Sequence, residues 1–251
     1  MMKTLSLQSK WLQEILPEGF PYPSTTVVSG PGGSGKPLIG YMFASEWLQQ
    51  GGKVVFLLTS TTYEYFCDTM KMLGTDTAEF DEQIRYIELD LTQKEIVQTA
   101  HNYWKANFVL PAVWDRVVDN IGSFSAGDEE DPGVMVSGSA LNLLFFSPTY
   151  QKEIQEHILQ TLRANRQETY FLTVNSDAFK ELVTPVEEAA GNLMMSRMEK
   201  PMQLFLKIIR MQQVAYHREE VKVPLSQEIL KSLREEAEKG KRNLIPGIKK
   251  M

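Results

Sequence analysis

A run of seven residues sets the tightest limit on what this chain can fold into: Gly30-Pro31-Gly32-Gly33-Ser34-Gly35-Lys36. It follows a short β-branched stretch, Thr25 to Ser29. It precedes Leu38 to Gln50, where Ala44, Trp47 and Leu48 supply the buried side of a helix. A strand that turns through glycines into a helix is the architecture of a phosphate loop. Glycines let the backbone wrap a phosphate chain with its N–H groups inward, and the following helix presents its positive end. Lys36 adds a charge for the terminal phosphates. The nucleotide-binding residues expected are Gly30, Pro31, Gly32, Gly33, Ser34, Gly35, Lys36 and the adjoining Pro37. A glycine-rich turn can be purely structural, but the lysine and its context favour phosphate.

Pro37 breaks the pattern. A Ser or Thr in that position gives its hydroxyl to magnesium, and proline has neither a hydroxyl nor a backbone N–H. Proline is sterically welcome in a first helical turn. The fold is therefore expected to tolerate Pro37, while magnesium binding is expected to suffer.

The remaining pattern alternates strands with helices. Val54 to Leu58 is a continuous apolar run, as in a central parallel strand covered on both faces. A helix is expected from Thr62 to Leu73, a strand from Ile84 to Leu89, and a helix from Thr92, as its cap, to Asn107. Arg116 to Asp119 reads as a strand leading into a loop. Ser125 to Ser139, with Asp128-Glu129-Glu130-Asp131-Pro132-Gly133, reads as an exposed, mobile, solvated loop. A helix over Tyr150 to Asn165 and a strand over Tyr170 to Val174 follow. Leu193 to Met198, Gln203 to Met211 and Val214 to Val223 read as late antiparallel strands at one edge. Ser226 caps a last helix ending at Lys239, and Gly240 to Met251 reads as a basic tail with a Pro-Gly turn. This order implies one α/β domain over residues 1–251, with a mainly parallel sheet flanked by helices. Residues 1–23 form a leader to it.

The chain of 251 residues has a net charge of −6 and a pI of about 5.3. General affinity for nucleic acid rests on neutralising phosphates with a basic surface, so that partner is disfavoured. The tail, Lys239 to Lys250, is the one electrostatic candidate, and a solvated terminus is its simpler reading. Cys67 is a lone thiol beside Phe66 and Met70, expected to be structural and in keeping with a reducing cytoplasm. No apolar run reaches the length of a membrane span, and Met1 to Lys10 has no apolar signal core. A cytoplasmic protein without a membrane partner is the expectation. His101, His157 and His217 lack metal-ligand spacing, and the methionines around Met194, Met195, Met198, Met202 and Met211 read as packing.

The segment Leu12-Gln-Glu-Ile-Leu-Pro-Glu-Gly-Phe-Pro21, followed by Ser24-Thr-Thr-Val-Val-Ser-Gly30, resembles the start of KaiC-like ATPases of the RecA superfamily. There a leader ends in a Gly-hydrophobic-Pro turn just before the phosphate-loop strand. The resemblance runs on through Gly51 to Leu58, returns at Arg116 to Asn120, and is weaker in the late strands. It implies a RecA-like core, ATP or ADP as ligand, and assembly into a homo-oligomer or with a protein partner. It also implies that Asp119 is the strand-end carboxylate holding magnesium through water, with Asn120 assisting. A strand-end aspartate can equally cap the next turn.

Three family positions depart from the pattern. Magnesium meets Pro37. The glutamates that activate water after the second core strand are matched by Ser60-Thr61, leaving Glu64 as a weak substitute inside the next helix. The Lys-x-Arg pair that reaches a neighbouring subunit's nucleotide is matched by Arg210 and Gln212. A general base contributes about 10²–10⁴-fold and an arginine finger about 10³–10⁵-fold. A nucleotide-binding regulatory protein with weak or absent hydrolysis is therefore the leading expectation. The alternatives are an active ATPase with an unusual magnesium shell, a recombinase-like single-strand DNA binder, and a scaffold without nucleotide. Asn175-Ser176-Asp177, after a strand, reads equally as a phosphate sensor and as a helix cap.

Overall fold

The computed structural model describes residues 2–122, 124, 131–164 and 167–251. The leader forms β1 (Lys3–Leu5), α1 (Lys10–Ile15) and β2 (Phe20–Tyr22), with β1 and β2 paired antiparallel. The core follows as β3 (Thr25–Gly30), α2 (Lys36–Gln49), β4 (Lys53–Leu58), α3 (Tyr63–Met72), β5 (Ile84–Leu89), β6 (Val97–Ala100) and β7 (Tyr103–Ala106). It continues with α4 (Pro111–Gly122), β8 (Val134–Gly138), α5 (Gln151–Arg163), β9 (Thr169–Asn175) and α6 (Lys180–Ala189). The chain closes with β10 (Asn192–Glu199), β11 (Gln203–Arg210), β12 (Val221–Lys222) and α7 (Gln227–Ile248). No helix among the described residues is long and apolar enough to cross a membrane.

The other described strands form one large sheet in the order β12-β11-β10-β3-β9-β8-β4-β5-β7-β6. All pairings from β10 through to β7 are parallel, and an antiparallel extension closes each edge. The apolar run of β4 explains its central place. Val54, Phe56 and Leu58 face one core while Val55 and Leu57 face the other, because successive side chains point to opposite sides. On the first face Phe56 packs against Phe66, Tyr41 and Tyr86. On the second, Val55 and Leu57 share a core with Trp114, Phe145 and Leu172.

α2 is apolar nearly all round, since Leu38, Ile39, Phe43, Ala44, Trp47 and Leu48 are all buried. A helix of that kind needs cover on every side. The sheet covers one side, and leader residues Leu5, Leu12, Ile15 and Phe20 join the same core. Glu46, buried on α2, holds the leader by accepting hydrogen bonds from the Ser9 N–H, at 2.8 Å, and the Ser9 hydroxyl.

Five expectations require correction, the first being the late strand over Val214 to Val223, of which only Val221–Lys222 pairs as β12. The helix over Thr92 to Asn107 is instead a turn and the β6–β7 hairpin; Thr92 donates to Asp90 in that turn rather than capping a helix. Helix-forming Gln, Lys and Glu suggested otherwise, but propensity is a weak prior that edge pairing overrides. The strand over Arg116 to Asp119 is part of α4. Val113, Trp114, Val117, Val118 and Ile121 are buried at helical spacing, while Asp119 and Asn120 are exposed on its outer side. The loop over Ser125 to Ser139 falls in part, 125–130, outside the described residues, and Val134–Gly138 is the buried strand β8. The basic tail is the second half of α7, which runs through Gly240 and Pro246 to Ile248.

Candidate phosphate-binding site

β3 delivers the glycine loop to the carboxyl edge of the parallel strands, where ligands gather in sheets of this kind. The loop is held by close backbone approach. A Cβ added at Gly30 would lie 2.1 Å from the Ser196 carbonyl oxygen of β10, so only glycine fits. Gly35 precedes the helix with φ +68. Ser34 joins Ser196 through their hydroxyls at 2.8 Å. Lys36 and Pro37 occupy the first two helical positions, and α2 accepts the proline without a break.

The Lys36 side chain is buried and folds back along its own loop. Its ammonium donates to the Gly30 carbonyl (2.8 Å), the Pro31 carbonyl (2.6 Å) and the Ser34 hydroxyl (3.1 Å). Burial, and to a lesser extent the charge of Lys241, push its pKa down to about 7, with Asp177 partly opposing the shift.

The neighbouring strand ends line a cavity with the loop. Ser60 and Thr61 follow β4, Ser139 and Asn142 follow β8, and Asn175 ends β9. Asn142 fixes this corner by accepting from the Asn175 N–H at 3.1 Å. The roof is α7. Leu230, Leu233, Arg234, Glu236, Ala237 and Lys241 all face the cavity. About 70 Å³ remains between loop and roof, against roughly 300–1,000 Å³ for typical cofactor pockets.

A magnesium site of the expected kind does not fit these residues. β8 lies between β4 and β9 and ends on Ser137-Gly138-Ser139, with no carboxylate. Pro37 offers no hydroxyl. Among the described residues lining the cavity the one carboxylate is Glu236, which sits 3.6 Å from the Lys239 ammonium. Asp177 is exposed.

The site residues expected from sequence divide accordingly. Gly32 to Pro37, Ser60, Thr61 and Asn175 come together in the lining, whereas Gly30 and Pro31 lie outside it and hold the Lys36 ammonium through their carbonyls. Asp119 does not; it is exposed on α4 and absent from the lining. Glu64 is exposed in the first turn of α3 and also lies outside it. Arg210 ends β11 beside Leu193, at the opposite end of the sheet from Gly30. There its guanidinium donates to the carbonyls of Glu187 (2.8 Å), Ala190 (2.8 Å) and Gly191 (3.3 Å). Gln212 binds the Asn192 side chain at that same end. The Asn175–Asp177 turn does not cap a helix, since α6 starts at Lys180.

Lys241 and Arg234 were not foreseen, and their signal lay in periodicity. Leu230, Leu233, Ala237, Lys241, Leu244 and Ile248 form one helical stripe that continues past Gly240. Elsewhere Cys67 is half-buried against the first core, and His157 pairs with Asp115 at 2.6 Å on the surface.

Comparison with known proteins agrees with this arrangement. The profile of the family described as "ATPase: KaiC" matches residues 9–231. A KaiC-like protein of the hyperthermophilic archaeon Pyrococcus horikoshii OT3 superposes with a TM-score of 0.64 at 14% identity, over 90% of this chain and 95% of that one. The flagellar accessory protein FlaH of Methanocaldococcus jannaschii superposes with a TM-score of 0.66 at 15% identity, over 90% and 96%. No curated protein matches the chain.

Proposed function

The chain belongs to the KaiC-type ATPase family, and from that premise we propose that it is a regulatory protein that binds ATP or ADP and hydrolyses ATP weakly or not at all. The supporting observation is a single contrast. The phosphate loop is complete through Lys36, yet the strand ends around it carry Ser60, Thr61 and Ser139 where carboxylates would serve metal and water. In this reading the loop backbone and the Lys36 ammonium hold the phosphates. To reach them, Lys36 exchanges two carbonyl oxygens for phosphate oxygens. Among the described residues of the lining the one carboxylate, Glu236, is paired with Lys239 on α7, so the strand ends offer no general base for an attacking water. The protein then acts through the conformation or assembly that nucleotide favours. Self-association or a protein partner, in a cytoplasmic setting, belongs to the same reading.

The test is calorimetric titration with ATP and with ADP, with and without magnesium, on the wild type and Lys36→Ala, alongside phosphate release. The expected result is binding that magnesium hardly improves and that Lys36→Ala weakens by about tenfold or more, the scale of a charge-assisted contact. Magnesium-dependent turnover abolished by Lys36→Ala would overturn the reading.

A further inference from the structure

α7 lies across the carboxyl ends of several strands. Leu230 packs over the phosphate loop, where a Cβ on Gly35 would meet its Cδ2 at 3.3 Å. Gly240 presses on the turn after β4, where an added Cβ would fall 2.1 Å from the Ser60 carbonyl oxygen. Gly247 abuts Leu91, beyond β5. Tyr65 of α3 meets Ser232 through their hydroxyls at 2.9 Å. The helix is thus seated by contacts at both ends and in its middle.

Lys241 occupies the inward stripe of this helix, at a position where the spacing would otherwise place an apolar residue. It is half-buried and faces the cavity. A Cβ at Gly32 would lie 4.0 Å from its ammonium. Lys241 has no ion pair among the described residues, whereas its neighbours Lys239 and Arg234 pair with Glu236 and Glu238. Two ammonium groups, Lys36 and Lys241, therefore converge on one glycine loop. Like charges brought together out of bulk water repel, and an anion between them removes that cost.

We propose that Lys241 is a second phosphate-binding cation, carried on α7, which clamps the terminal phosphates of a nucleoside di- or triphosphate without a divalent metal. This rests on the reading of the loop as a nucleotide site. It assigns to α7 of the same chain the neutralising charge that magnesium would otherwise supply. The nucleoside portion exceeds the enclosed space, so α7 swings on the segment before Ser226 to admit the ligand and then closes on it.

The experiment is ATP binding in EDTA by calorimetry for the wild type, Lys241→Ala, Lys241→Arg and Lys36→Ala, with amide hydrogen exchange of α7 followed with and without ATP. Lys241 is half-exposed, and thermal melts of its variants serve as the check that they fold. The expected result is wild-type binding in EDTA and weakening by Lys241→Ala on the order of ten- to a hundredfold. Lys241→Arg recovers affinity, and exchange in α7 slows when ATP binds. Binding lost in Lys36→Ala but untouched in Lys241→Ala would overturn the clamp and leave the nucleotide reading standing. Faster exchange in α7 on ATP binding would also overturn it, making the helix a plug that nucleotide expels. Absence of ATP binding by the wild type under every condition would overturn both.

Discussion

Lys36 is the residue on which both charge and geometry turn. Its folded pKa, about 7, lies well below the ordinary lysine value of 10.5 because burial and Lys241 disfavour the ammonium. Between those two values the unfolded chain binds more protons than the native one, so stability rises with pH across that window. Lys36→Met should remove this rise. Urea midpoints at pH 7 and pH 9.5 for wild type and variant provide the check, the difference between proteins isolating Lys36 from other titrations. Phosphate favours the charged form, so ATP binding near and above neutral pH should take up protons and weaken as pH increases. Titrations in buffers of different ionisation enthalpy measure that uptake. The groups facing Lys36 across the cavity are Lys241, Arg234 and Glu236, with Asp177 near the loop. Asp119 stands apart from all of these. Asp119→Asn should leave ATP affinity and turnover unchanged, and the same titration tests this. The motif made the loop legible because it needs only local backbone chemistry. A strand-end carboxylate cannot be read from two β-branched residues, since Val117 and Val118 serve a helix equally well once Val113, Trp114 and Ile121 share its buried face.

Among the elements, α7 departs furthest from its local sequence signals. Gly240 and Pro246 read as a stop and a turn, yet both lie inside the helix. Glycine at position 240 permits contact with the Ser60 carbonyl that any side chain would prevent. In an exposed helix, Gly→Ala stabilises by about 1 kcal/mol. Gly240→Ala should do the reverse here, lifting the second half of α7 and lowering the melting temperature by several degrees, the shift expected for about 1–2 kcal/mol. Its ATP affinity in EDTA should fall along with that of Lys241→Ala. An unchanged melting temperature and affinity would mean that the helix seats elsewhere. The β6–β7 hairpin teaches a similar lesson at the far edge. Every residue of its first strand is exposed, and the strand gains its form from pairing with β7, a contact that no local preference encodes.

At the level of the whole molecule, the sheet divides two apolar cores, and α2 is the helix most completely enclosed. Phe56 sits where β4, α2, α3 and β5 meet, through Tyr41, Phe66 and Tyr86. Phe56→Ala should cost about 3–5 kcal/mol, the usual range for emptying a buried aromatic site. Urea denaturation measures this. The loop and α7 take their positions from this framework, so the lost stability should appear without a change in the stoichiometry of ATP binding.

What the sequence determined by itself were the features whose causes are local. These are the glycine loop between strand and helix, the two-sided apolar run of β4, the Pro37 departure and the leader before β3. Backbone freedom, side-chain alternation and a missing hydroxyl act over a few residues and are written in their order. The tertiary structure alone decided which residues stand opposite Lys36. Val134–Gly138 becomes a central strand because β4 and β9 pair with it on both sides. Lys241 reaches the loop because α7 folds back across the strand ends from about two hundred residues away in sequence. Contacts at that separation depend on how the sheet is assembled; spacing along the chain marks the inward stripe of α7 but not the loop that it meets.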